Sequence, residues 1–146
     1  MSERTDIIPS YLDQASLKQK YAFFQTLICL SGIDGKTADE EIAFIEEMAK
    51  KQGLDDMQLL TDFANKEEVV DGVKIINNRP LALELIYEMC NLAHVDNVLS
   101  DAEVMLIGEV GLAMGIEIEK IEQISNWVID NIVLREQAKI IFEVEE

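Results

Sequence analysis

Basic residues are scarce in this chain. Its 146 residues hold 12 lysines and arginines against 29 aspartates and glutamates, a formal net charge of −17 at pH 7. Nucleic-acid phosphates and anionic lipid surfaces would both be repelled by such a balance, so neither is an expected partner. A basic protein, a cation, or plain solubility suits it. Helix breakers are few as well, with 2 prolines and 7 glycines, and the long stretches of Ala, Leu, Glu, Lys and Ile between them favour helix throughout. Histidine occurs once, at His94, which excludes multi-histidine zinc hydrolysis. The two cysteines, Cys29 and Cys90, form no CxxC pair and sit among apolar neighbours, so both read as buried free thiols. No glycine-rich phosphate loop and no nucleophile–base arrangement stands out, which leaves an enzyme as the least expected class. The first residues lack an apolar signal core, and the longest weakly polar run, residues 21–33, is interrupted by Gln25 and too short for a bilayer. The expectation is a soluble cytoplasmic protein without membrane insertion.

What is present is a repeat. Shifting the sequence by 62 positions lays Asp34 on Asp96, Asp39 on Asp101, Glu41 on Glu103, Ile45 on Ile107, Glu47 on Glu109 and Gly53 on Gly115. With Leu30 on Leu92, 7 of the 34 pairs between residues 21–54 and 83–116 are identical, and no gap is needed. Acids and turn residues that keep step in this way read as an internal duplication. Each copy would be an apolar helix, an acidic turn, a second helix and a glycine stop.

At this length one domain, 1–146, is expected, and 49% hydrophobic residues suffice for a packed core. The pattern predicts an all-α fold. A long helix from Ser10 to about Ile33 is apolar on most sides and belongs at the centre. A second, about 39–52, turns Ile42, Ile45, Met48 and Ala49 inward, opens on acids and closes on lysines as the helix dipole prefers. Gly53 fits a left-handed stop. Asp55 and Gln58 have capping-box spacing for a third helix through Asn65, and residues 66–79 hold a short helix and the joint between the copies. Pro80 opens a second central helix to Val95. Helix 100–114 follows, almost wholly apolar after Glu103, and Gly115 stops it. A helix from Glu117 to about Asn131 turns Ile118, Ile121, Ile124 and Val128 inward with Trp127 at or near the core. A last helix covers residues 134–142.

The acidic turns carry the candidate chemistry. Asp34, Gly35, Thr37 and Glu41 match the closing half of an EF-hand loop, whose opening ligands would fall on Leu30 and Gly32 and are missing, so a full EF-hand is excluded. The same residues also serve as turn formers and caps: Ser100 and Glu103 make a capping box, Thr37 and Glu40 a similar pair, and Asp34 and Asp96 can bond their own backbone. As a metal site the set is Asp34, Glu41, Asp96 and Glu103. All-oxygen ligands of this kind select calcium, magnesium or manganese, held weakly because the half-loop offers few ligands. Asp39, Glu40 and Asp101 are the acids expected to face a basic protein partner. His94 is placed to interact with the end of its own helix.

The twofold pattern of Ile33-Asp34-Gly35, Glu41 and an Ile45-x-x-Met48-Ala49 helix stopped by Gly53-Leu54, repeated from Val95-Asp96-Asn97 through Glu103 to Gly115-Ile116, resembles the tellurite-resistance TerB family. The similarity covers about residues 17–130. It implies an all-helical fold of about seven helices with internal pseudo-twofold symmetry over residues 17–64 and 79–127. It also implies no established enzymatic activity, a role in chemical-stress or metal response, and acidic residues that bind metal. The chain departs from the pattern at Ala38, opposite Ser100, and at Asn97, opposite Gly35.

Overall fold

A computed structural model describes residues 10–33, 35, 39–62, 65–94 and 99–144. Among them the secondary structure is helical, with no strand. After a 3-10 turn at Leu12–Gln14 come α1 (Leu17–Gly32), α2 (Asp39–Lys51), α3 (Met57–Asp62) and α4 (Lys66–Gly72). A second 3-10 turn, Val73–Ile75, leads to α5 (Arg79–Ala93), α6 (Asp101–Ala113) and α7 (Ile118–Ile141). The expected all-α class is therefore what the chain adopts.

The two helices that are apolar on most sides, α1 and α5, occupy the middle. Helix α1 packs on α2, α3, α4 and α5, and α5 packs on α6 and α7. Phe23 and Phe24 are wholly buried on α1, their rings edge to face at 5.3 Å, and Leu85, Ile86 and Met89 are wholly buried on α5. The few polar groups of α1 tie down its neighbours. Lys20 donates to the carbonyl of Gln52 (3.1 Å) at the end of α2, where the helix has no further partner for it. Tyr21 accepts from the amide of Asp56 (3.1 Å), and Gln25 donates to the carbonyl of Leu59 (3.2 Å).

The repeat register recurs in the helix bounds: moving α2 by 62 residues gives the span of α6, and both end alike. Gly53 and Gly115 take φ of 88° and 80°, a left-handed conformation that costs glycine little. Behind them the amide of Leu54 returns to the carbonyl of Ala49 (3.1 Å), and that of Ile116 to Gly111 (2.9 Å). Leu54 and Ile116 are then buried against the core.

Five details depart from expectation. Helix α1 starts at Leu17 instead of Ser10, because Ser16 and Gln19 form a reciprocal capping box (3.2 and 3.0 Å). The cap of α3 is Asp56, accepting from the amide of Leu59 (3.0 Å), one residue after Asp55, while Gln58 bonds Asp62. Asn65 caps α4 instead of ending α3. The two helices expected over residues 117–142 are one, since nothing between 116 and 144 is a glycine or proline to stop it. On α7 the orientation also differs: Ile121 and Val128 are buried, but Ile118 is 50% exposed and Trp127 lies at the rim against the ring of Tyr87, centroids 6.1 Å apart.

Candidate functional site

The acidic turns place their residues in separate structural tasks. Glu41, in the first turn of α2, accepts a hydrogen bond from the Ser31 hydroxyl (2.9 Å), joining the start of α2 to the end of α1. Glu103 accepts from the amide of Ser100 (3.0 Å) while Ser100 Oγ accepts from the amide of Glu103 (3.2 Å), so the capping box read from the sequence closes. Asp39, Glu40 and Asp101 are exposed in the first turns of α2 and α6, where negative charge suits the helix dipole. Asp34, Thr37 and Asp96 lie outside the described residues. Among the described residues no group of three or more His, Cys, Asp or Glu side chains converges as a metal would require.

His94 closes α5, and its Nε2 lies 3.3 Å from the hydroxyl of Ser125 on α7. Burial pushes its pKa below the ordinary value, and the nearby charge of Glu103 partly opposes the shift. Cys90, one turn earlier, shares the same serine. Burial raises its thiol to about 12, the Ser125 hydrogen bond pulling the other way. Cys29 is also raised by burial, against the field of Lys66. Both cysteines are buried thiols outside any disulfide, as expected, and neither carries the thiolate a nucleophile needs at neutral pH. The Cys90–Ser125–His94 set therefore works as a polar pin between α5 and α7.

Sequence reading passed over the acids inside α5. Glu84 is buried and accepts from the amide of Tyr11 (2.7 Å) and the hydroxyl of Ser10 (3.0 Å), which fixes the chain ahead of α1. Glu88 and Asn91 are buried one and two turns on. Their spacing of four and three residues was the available signal: a polar line inside a helix otherwise read as core.

An apolar face also lies on the outside of α6. The inward side of this helix carries Leu106, Ile107, Val110 and Gly111, all buried. The opposite side is apolar too: Val104, Met105 and Leu112 are each about half exposed, at 50, 56 and 54%. Gly108 lies between them with nothing above it. One helical turn separates Val104 from Gly108 and Gly108 from Leu112, so they form a straight ridge with a notch in the middle. In α2, 62 residues earlier, the same positions are Ile42, Ala43, Glu46 and Lys50, so charge interrupts the row at its middle and far end. The uninterrupted row is a feature of α6 that α2 lacks.

The stretch of sequence that includes α6 is acidic. Between Arg79 and Lys120 there is no lysine or arginine, whereas Glu84, Glu88, Asp96, Asp101, Glu103, Glu109, Glu117 and Glu119 are all acidic, with Glu84 and Glu88 buried in α5. Bases reach the region from outside it. Lys66 bridges to Glu109 (2.9 Å) and Arg79 to Glu117 (2.8 Å), a pairing that lowers the Glu117 pKa and raises that of Arg79. Comparison with protein-family models, with curated proteins and with solved structures finds no match.

Proposed function

We propose that this protein is a non-enzymatic interaction domain that docks a partner protein on the outer face of α6. The observation that carries the reading is the half-exposed row of Val104, Met105 and Leu112, unbroken by charge on α6, where the counterpart row on α2 is interrupted by Glu46 and Lys50. A contiguous apolar patch on a protein surface marks an interaction site far more often than scattered exposed leucines do. Co-immunoprecipitation from cells that make the protein tests it. The pair Met105→Gln and Leu112→Gln should lose a partner that Ala43→Gln on α2 retains. Equal recovery by both variants overturns the reading.

A second reading, a TerB-like protein of a tellurite or chemical-stress response whose acidic turns hold a divalent cation, is favoured by one observation. The common bounds of α2 and α6 put Glu41 and Glu103 each at the third residue of its helix, as the repeat requires. Millimolar calcium or magnesium should then raise the thermal midpoint of the wild type but not of Asp34→Asn with Asp96→Asn. If the wild type does not shift, the acids are caps and turn formers. The engaged Ser100–Glu103 box supports that simpler assignment.

A further inference from the structure

Resting on the interaction reading, the structure assigns a chemistry to the partner: we infer that the ridge of α6 receives a basic amphipathic helix.

Three observations lead there. The first is shape. Val104, Gly108 and Leu112 repeat every fourth residue, and the open space over Gly108 is a hole into which a side chain from a crossing helix can insert. Helix-in-groove recognition reads spacings of this kind, whereas an extended strand would need an exposed sheet edge. The second is charge. The whole chain is strongly acidic, α6 itself carries no lysine or arginine, and Asp101 stands exposed at the head of the ridge. A helix with an apolar stripe flanked by Lys or Arg meets the ridge with its stripe and the acids with its flanks. An acidic helix would bring like charges together. The third is what the charge excludes. A second copy of this chain would bring another net −17 against the same face, so self-association through α6 works against repulsion that a basic helix turns into attraction.

The length of α6 is 13 residues, and a helix of that size is about 20 Å long. A partner segment of four to five turns would therefore span it.

The test uses the full chain and synthetic peptides of roughly 18 residues, long enough for those turns. One is an amphipathic Leu/Lys helix. A second has the same composition with the leucines scattered round the helix, and a third replaces Lys by Glu. Titration calorimetry at physiological salt should show the Leu/Lys helix binding and the other two binding at least about tenfold more weakly. Met105→Gln with Leu112→Gln should weaken the Leu/Lys peptide by about tenfold or more, since the apolar contact is lost at unchanged charge. Ala43→Gln on α2 should leave its binding unchanged. Each single substitution on α6 should give a smaller loss in the same direction, with circular dichroism melts confirming that the variants fold. Equal binding of the scattered peptide, or no loss in the double variant, overturns the inference by reducing the contact to general charge attraction. A dimer seen in sedimentation and dissolved by the double variant overturns it too, giving the ridge to a second copy. If the co-immunoprecipitated partner depends on the ridge but the Leu/Lys helix does not bind, the interaction reading stands and the basic helix falls.

Discussion

Two glycines on α6, three residues apart, sit in opposite surroundings. A Cβ built on Gly111 would clash with Ile121 Cδ1 and stand 3.3 Å from Ile86 Cδ1, while one on Gly108 would meet nothing within 4 Å. Alanine gains up to about 1 kcal/mol over glycine inside a helix, but overpacking a core costs about 1–3 kcal/mol. Gly111→Ala should therefore destabilise by about 1–2 kcal/mol in chemical denaturation, and Gly108→Ala should stabilise by about 0.5–1 kcal/mol. Ile121→Val, which removes the clashing Cδ1, should recover much of the Gly111→Ala loss in a double-mutant cycle. His94 makes a second residue-scale claim. Its folded pKa lies below the ordinary 6.5, so between the two values the unfolded chain binds the proton and the folded chain does not. Stability from this group is complete above about pH 6.5 and is lost as the pH falls toward the folded value. Thermal midpoints measured from pH 7.5 down to 5 should fall more steeply for the wild type than for His94→Asn. Parallel curves would mean that His94 titrates alike in both states. Burial at this position was not legible in advance, because His94 was read only against the dipole of its own helix. Its partner Ser125 comes from a helix 31 residues on.

At the scale of the element, α6 combines a core face and an exposed apolar face. Leu106→Ala should cost about 2–5 kcal/mol, as large-to-small changes in a packed core do, whereas Met105→Ala, its neighbour in sequence, should change stability by no more than about 0.5 kcal/mol. The contrast separates burial from mere hydrophobicity. Helices, stops and the Ser100 cap could be read from the sequence because each depends on residues within one turn: Gly53, Gly115, Pro80 and the Ser100–Glu103 pair all act locally. What failed was whatever depends on a competitor. Ser10 lost the start of α1 to Ser16, which has Gln19 three residues on, and Asp55 lost the cap of α3 to Asp56. Two helices were expected to meet at residues 131–134, but no glycine or proline stands there and α7 runs through. The exposed face of α6 was invisible for the opposite reason. A helix apolar on nearly every side predicts full burial, and only the fold shows that α4, α5 and α7 leave one side of it open.

For the whole molecule, the repeat offers an internal control. Helices α2 and α6 share their length, their glycine stop and the inward Ile45 and Ile107, so folding places the same demand on both inner faces. Their outer faces differ: Glu46 and Lys50 on α2 stand where α6 has Gly108 and Leu112. No helix among the described residues is long and apolar enough to cross a membrane, so an apolar span does not account for the face. The central claim is that this face contacts another protein, and site-specific photocrosslinking in living cells tests it most directly. A photoreactive residue is placed at Met105 in one variant and at Ala43, its counterpart on α2, in another. The account predicts one discrete heavier species from position 105 after irradiation, competed away by unlabelled wild type and absent from position 43. The same crosslinks from both positions, or none from position 105, would contradict it.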